Sequence, residues 1–177
     1  MNKKTLWLTR TAMLIALLLV LQSVTKGAGQ YVTGSCVNAV LAVAALVSGI
    51  GSAAVVSLVS PFAALLLKIT PLPLPIVPAI ALGNLVYVTI LWMILKKHKL
   101  MSVSGVVAWI VAAVCKFLTL YLVVVKLLCN LLTLKPQQVT MFTAMFSWPQ
   151  LVTALVGGGA ALLIATALRR VHNVGWV

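Results

Sequence analysis

This chain of 177 residues is 63% hydrophobic and 7% charged, and its 13 Lys and Arg face no Asp or Glu. This composition excludes an ordinary soluble domain, in which about a quarter of the residues are charged and both signs occur. It also excludes carboxylate catalysis, carboxylate metal sites and carboxylate proton relays. A mean hydropathy of +1.21 predicts instead an all-α membrane protein, with residues 1–177 as a single integral membrane domain and with no enzyme activity.

Six apolar stretches are predicted to cross the membrane, because about 30 Å of hydrocarbon requires about 20 helical residues. The sequence Gly49-Ile50-Gly51-Ser52 is predicted to divide one long apolar run, and the prolines between 71 and 78 interrupt the next. The predicted helices form a compact bundle and lie at about 6–24, 32–48, 52–69, 77–95, 103–128 and 141–168. Pro149 predicts a kink or a late start in the last of them.

Basic residues predict the orientation of this bundle, because Lys and Arg concentrate on the cytoplasmic side. One end of the predicted bundle carries Lys3, Lys4, Arg10, Lys96, Lys97, Lys99, Arg169 and Arg170. The opposite end carries Lys26, Lys68, Lys126 and Lys135. We therefore expect a multi-pass protein of a prokaryotic plasma membrane, with both the N-terminus and the C-terminus in the cytoplasm.

Lys116 lies inside the fifth predicted span, where a charged side chain is costly and often functional. At 100° per residue, Thr119 and Lys126 share its helix face. One interpretation is a lysine that reaches the outer interface and has no further role. The other is a hydrogen-bond donor in a ligand cavity. Because the chain has no acidic residue, the sequence favours a ligand, water or a backbone carbonyl as its partner there.

Other polar and aromatic residues fall at a similar depth in the outer half of the membrane. They are Gln30, Asn38, Asn84, Tyr87, Trp148 and Gln150. Each alone is typical of a hydrogen bond between helices. Together they predict an outward-facing pocket for a small polar-aromatic ligand, with ring stacking by Trp148 or Tyr87 and hydrogen bonds from Asn84 and Gln150. The missing carboxylates favour a neutral or anionic ligand over a cationic one.

Several other kinds of site are disfavoured. The basic residues are scattered between apolar runs, which argues against a nucleic-acid partner. The three cysteines lie in apolar stretches without CxxC spacing, and His98 and His172 lie in basic linkers. Neither pattern is typical of a disulfide or of a metal site. We expect no cofactor and no metal.

Small residues are frequent in the cytoplasmic half. Ala12 and Ala16 form an AxxxA pattern on the first span, and the run 157–161 (GGGAA) offers GxxxA spacing on the last. Such spacing lets helices approach closely. Packing within the bundle explains both patterns, and docking of a partner helix is the alternative for the alanines.

This combination of features resembles the substrate-binding S component of an energy-coupling factor (ECF) transporter over about residues 5–170. The similarity includes the basic N-terminal tail that runs into segment 8–17 (LTRTAMLIAL). Segments 30–35 (QYVTGS) and 148–155 (WPQLVTAL) are similar to stretches in members of unassigned substrate. The resemblance implies high-affinity binding of a vitamin or related micronutrient on the outer side. It further implies that the subunit topples in the bilayer to release the ligand inside.

The resemblance also implies partners, namely a transmembrane coupling subunit that docks at Ala12 and Ala16 and two ATPase subunits. A chain without carboxylates agrees with this, since it cannot hydrolyse ATP or couple to protons by itself. The main alternative is a membrane scaffold or accessory subunit without a ligand. A small stand-alone carrier and an intramembrane enzyme are weaker alternatives, because no coupling-ion carboxylate exists and the histidines lie far from the polar cluster.

Overall fold

The computed structural model describes residues 2–69, 72–96 and 100–172, and of 169–172 the backbone alone. The described residues form helices and connecting turns, with no strand among them. The helices are α1 (Lys3–Thr25), α2 (Gln30–Val43), α3 (Gly49–Leu66), α4 (Ile76–Leu95), α5 (Val103–Leu120), α6 (Cys129–Leu131), α7 (Pro136–Met145) and α8 (Trp148–His172). The wider π-helical segments Ala44–Ser48 and Tyr121–Leu128 continue α2 and α5.

Within the described ranges, five helical stretches are long and apolar enough to cross a membrane. They are Lys3–Ala28, Gln30–Leu66, Ile76–Leu95, Val103–Leu131 and Pro136–Leu168. Many of their large apolar side chains, such as Leu66 and Leu163, are exposed on the outside of the bundle. The described residues confirm the all-α prediction, and these five stretches have the length and composition that a membrane-embedded protein requires.

The longest of these stretches, of 37 residues, changes direction at Gly49. Gly49 has φ 84° and ψ 174°, a combination that glycine adopts almost exclusively. Shortly after it, the hydroxyl of Ser52 is hydrogen-bonded at 2.8 Å to the hydroxyl of Thr11, in the first half of α1. Near the other end of α3, Ala64 lines the same cavity as Gln30, the first residue of α2. The helices α2 and α3 are therefore antiparallel, with the turn at the predicted position.

The last predicted span, 141–168, consists of parts of two helices. Helix α7 ends at Met145 and α8 begins at Trp148. Pro149 is the second residue of α8, a position where the missing N–H of proline is tolerated. Of the two outcomes predicted from this proline, the late helix start is the one observed.

Helices α2 and α8 approach closely because glycines lie between them. A Cβ added at Gly157 would lie 2.4 Å from the backbone oxygen of Ser35 and 2.7 Å from the backbone nitrogen of Ala39. A Cβ added at Gly34 would lie 2.9 Å from the side chain of Thr153. The structure thus places the first glycine of the run 157–161 at an internal packing contact, as the packing interpretation predicts.

The larger apolar core lies between α2, α3, α4, α5 and α8, with α1 at the periphery. Leu41, Val88 and Ala161 are among its fully buried side chains. Helix α1 buries only Thr11 and Leu18 of its 23 residues, so most of its surface is available to lipid or to a partner.

Some basic residues used to predict the orientation lie outside the described residues. Lys97 and Lys99 belong to this group, as does His98. The side chains of Arg169 and Arg170 are likewise not described, nor is the end of the chain at 173–177.

We expect Gly157→Ala to lower the thermal stability of the protein, because the added methyl group would meet backbone atoms of α2. Overpacking costs about 1–3 kcal/mol, and the better helix propensity of alanine offsets only about 1 kcal/mol of this. The apparent Tm of the detergent-purified variant measures the effect. The matched control is Gly159→Ala, whose methyl group would meet a side chain, Trp109, at 3.2 Å. An unchanged Tm for Gly157→Ala would contradict the close α2–α8 contact.

Candidate functional site

A cavity of about 280 Å³ lies at the end of the bundle where α1 gives way to α2. Most of its wall is apolar and includes Leu18, Val37, Ala64, Leu72, Ile80, Leu120 and Phe146. Its polar lining residues are Gln22, Lys26, Gln30, Thr33, Asn38, Ser60, Asn84, Lys116 and Gln150. A mostly apolar concave site with a few placed polar groups is typical of small-molecule binding.

Lys116 lies at the inner end of this cavity, and only 3% of the residue is exposed. Its Nζ donates to Oδ1 of Asn38 at 2.5 Å and to Oδ1 of Asn84 at 2.7 Å. Both asparagines are buried as well. Three helices, α2, α4 and α5, thus meet at a single ammonium group.

Side chains behind Lys116 connect this group to α8. Asn38 uses its Nδ2 to donate to Oγ1 of Thr153 at 3.2 Å. The ring centroid of Tyr87 lies 5.4 Å from the Lys116 Nζ, within range of a cation–π interaction. The Tyr87 hydroxyl donates to the backbone oxygen of Ala154 at 3.1 Å. These contacts hold the ammonium in place and link it to α8.

Two glutamines meet at the backbone oxygen of Met145, the last residue of α7. The Nε2 atoms of Gln30 and Gln150 both donate to this oxygen, at 2.5 Å and 3.3 Å. Because a carbonyl oxygen can only accept, both side chains must turn their NH₂ groups toward it. Their amide oxygens remain for other partners. The amide oxygen of Gln22, another lining residue, is buried and has no partner among the described residues.

Of the eight side chains predicted to contact a ligand, the cavity lining includes five. These are Gln30, Asn38, Asn84, Lys116 and Gln150. Tyr87 lies behind Lys116 instead, and Thr119 uses its hydroxyl within its own helix, donating to the Cys115 backbone oxygen at 2.8 Å. Trp148 lies outside the cavity, 69% exposed, with its ring stacked on Phe117 at 5.9 Å between centroids.

Lys126 is also exposed rather than directed into the cavity. The prediction that it shares a face with Lys116 assumes a regular α-helix. The segment Tyr121–Leu128 is a π-helix, whose i→i+5 hydrogen bonds place more residues in each turn. The helix face is therefore displaced after Leu120, and Val124 becomes the buried residue.

The other lining residues were not predicted as ligand contacts, and Gln22, Ser60 and Phe146 show how they differ in visibility in the sequence. Gln22 and Ser60 are polar residues within apolar spans, so the depth argument used for Asn84 applies to them as well. Phe146 is a different case. It lies in the short connection between α7 and α8, and the sequence does not reveal that this connection lines the cavity.

A family model described as "ECF transporter, substrate-specific component" matches residues 7–169 of this chain. The matched region includes all the residues that line the cavity. Comparison with curated proteins gave no match, and comparison with solved structures gave none either.

We expect Asn84→Leu to destabilise the protein, because the Lys116 ammonium would lose a buried acceptor. A hydrogen bond to a charged group contributes about 1.5–3 kcal/mol, so the apparent Tm in detergent should fall. In a Lys116→Met background, the same Asn84→Leu change should cost less, because no ammonium is left without a partner. Tm measurements on the four proteins of this double-mutant cycle test the interaction. Purely additive losses would contradict direct coupling between the two side chains.

Proposed function

This chain belongs to the substrate-specific components of ECF transporters, and from that premise we propose that its cavity binds a vitamin or related micronutrient. Members of this family are membrane-embedded substrate-binding subunits in uptake rather than enzymes. The observation that carries the proposal is the cavity itself, in which Lys116, Asn38 and Asn84 converge within an apolar wall. The five predicted residues that line it, together with Gln22, are the proposed ligand contacts.

The proposal includes six membrane crossings by one integral domain, with both termini in the cytoplasm of a prokaryote. The reversal at Gly49 supports six crossings, because it makes α2 and α3 antiparallel. The basic start of α1, with Lys3 and Lys4, supports a cytoplasmic N-terminus. The cavity, lined by Lys26 just after the other end of α1, then faces outward.

A transmembrane coupling subunit and two ATPases are the proposed partners. The chain has no carboxylate with which to hydrolyse ATP, so the energy for uptake must come from other subunits. The peripheral helix α1 is the proposed docking surface, because Ala12 and Ala16 are both exposed on it. Their spacing presents a small-residue face to an approaching helix. Docking there would let the subunit topple and release its ligand inside.

Ala12→Trp and Ala16→Trp should each abolish copurification of this protein with a coexpressed coupling subunit and ATPases. The bulky indole would prevent close helix approach, while the exposed position leaves the fold intact. The matched control is Leu17→Trp, an exposed position on the same helix about 120° around it from the alanines. A tryptophan variant at Ala12 or Ala16 that still assembles would exclude this docking surface.

A second prediction concerns ligand binding by the isolated subunit. The small-molecule fraction of yeast extract should raise the Tm of the detergent-purified protein, because a ligand that binds only the folded state stabilises it. The free energy of unfolding rises by about 2.7 kcal/mol at a ligand concentration of 100 times Kd. Mass spectrometry of molecules released from the washed protein then identifies the ligand.

The control for this measurement is a pair of matched lysine variants. Lys116→Met should lose the Tm gain while expression stays near normal, whereas Lys126→Met, which alters an exposed lysine outside the lining, should keep it. If wild-type protein shows neither a Tm gain nor a released molecule, a scaffold without a ligand replaces the proposed function.

A further inference from the structure

The inner end of the cavity holds the amino group of Lys116, which has no acidic neighbour. An ammonium group has three N–H donors, and within the described part of the chain Asn38 and Asn84 accept from two directions. Both acceptors are neutral, as is the Tyr87 ring. The whole sequence contains no Asp or Glu that could pair with this lysine. A buried charge without a counter-ion is costly, and an anionic group in the cavity would supply that counter-ion.

Three glutamines among the other polar lining residues present hydrogen-bond acceptors, next to the donor Lys26. Gln30 and Gln150 donate from their NH₂ groups to the backbone oxygen of Met145, which leaves their amide oxygens for a ligand. The buried amide oxygen of Gln22 has no partner among the described residues. A buried acceptor without a donor is unfavourable. Three glutamine oxygens therefore favour a ligand that brings N–H or O–H donors to this part of the wall.

These two groups of side chains are separated along α2. Gln30 is the first residue of that helix and Asn38, which holds Lys116, follows eight residues later. Eight residues of α-helix span about 12 Å. The wall between them is mainly apolar and includes Leu18 and Val37. Lys116 thus lies at one end of the cavity, an apolar wall forms its middle, and the three glutamines lie with Lys26 at the other end.

We propose that the ligand is an elongated organic anion. This inference rests on the proposed function and specifies the chemical class of its ligand. Its anionic group pairs with Lys116, and its N–H or O–H donors bond the amide oxygens of Gln22, Gln30 and Gln150. An apolar segment joins the two ends. A cationic ligand would instead bring a second positive charge to Lys116, and a small inorganic anion would leave the glutamine oxygens without donors.

The test separates the small molecules of yeast extract by ion exchange into anionic, neutral and cationic pools, adjusted to equal pH and salt. Each pool is added to wild-type protein in detergent, with phosphate and acetate as inorganic and minimal anion controls. We expect only the anionic pool to raise Tm. Stabilisation by the neutral or cationic pool alone, or equally by phosphate or acetate, overturns the organic-anion proposal and leaves a binding function in place. If no pool stabilises the protein, the proposed function fails with it.

Variants assign the two ends of the ligand. Lys116→Met should require about 30-fold or more of the anionic pool for the same Tm gain, because truncating one partner of a buried charge pair is costly. Lys126→Met should match wild type. Gln22→Leu, which keeps the buried charge, should weaken the response about fivefold through the lost hydrogen bond. If Lys116→Met responds like wild type, the ligand does not form an ion pair with Lys116. If Gln22→Leu responds like wild type, the ligand does not donate a hydrogen bond to Gln22.

Discussion

A lysine ammonium buried between helices must find oxygen atoms inside the protein, and much of this bundle is arranged to provide them. Asn38 and Asn84 supply amide oxygens from two helices. Asn38 is also hydrogen-bonded to Thr153 on α8, a contact that requires α2 and α8 to lie close together. Glycines permit this approach, since a Cβ at Gly157 would overlap the α2 backbone. Glycines and polar residues that look like separate motifs in the sequence therefore serve one arrangement.

The residues that sequence reasoning could place in the cavity share one property. Lys116, Asn38 and Asn84 are polar residues inside apolar spans. Burying such groups is costly, so the sequence alone identifies them as candidates for a site, even when their partners are unknown. Thr119 and Trp148 required more than that rule. Their predicted roles depended on the exact helix face and on the start of α8, and hydropathy encodes neither. The Thr119 hydroxyl also donates to a backbone oxygen of its own helix, and any threonine in a membrane helix can form such a bond instead of contacting a ligand.

Two backbone features explain most of the remaining differences between prediction and structure. The π-helical segment Tyr121–Leu128 displaces the helix face that Lys126 would otherwise share with Lys116. No residue type in this segment predicts the wider turns. The carbonyl of Met145, where α7 ends, gathers Gln30 and Gln150. A backbone acceptor carries no side-chain signature, so the sequence places both glutamines in the outer half but not at a common point. The turn at Gly49 was predictable because glycine there has a clear conformational reason.

The absence of carboxylates leaves the buried lysine without an acidic partner in the sequence. A carboxylate within the protein would neutralise the ammonium, and an anionic ligand would then have to compete with it. Amide oxygens fix the position of the ammonium without removing its charge, so the site is organised before the ligand arrives. The same absence agrees with the proposed separation of binding from energy supply, since the chain has no Asp or Glu to activate water for ATP hydrolysis. The proposed anion site and the proposed dependence on a separate motor thus rest on one feature of the composition.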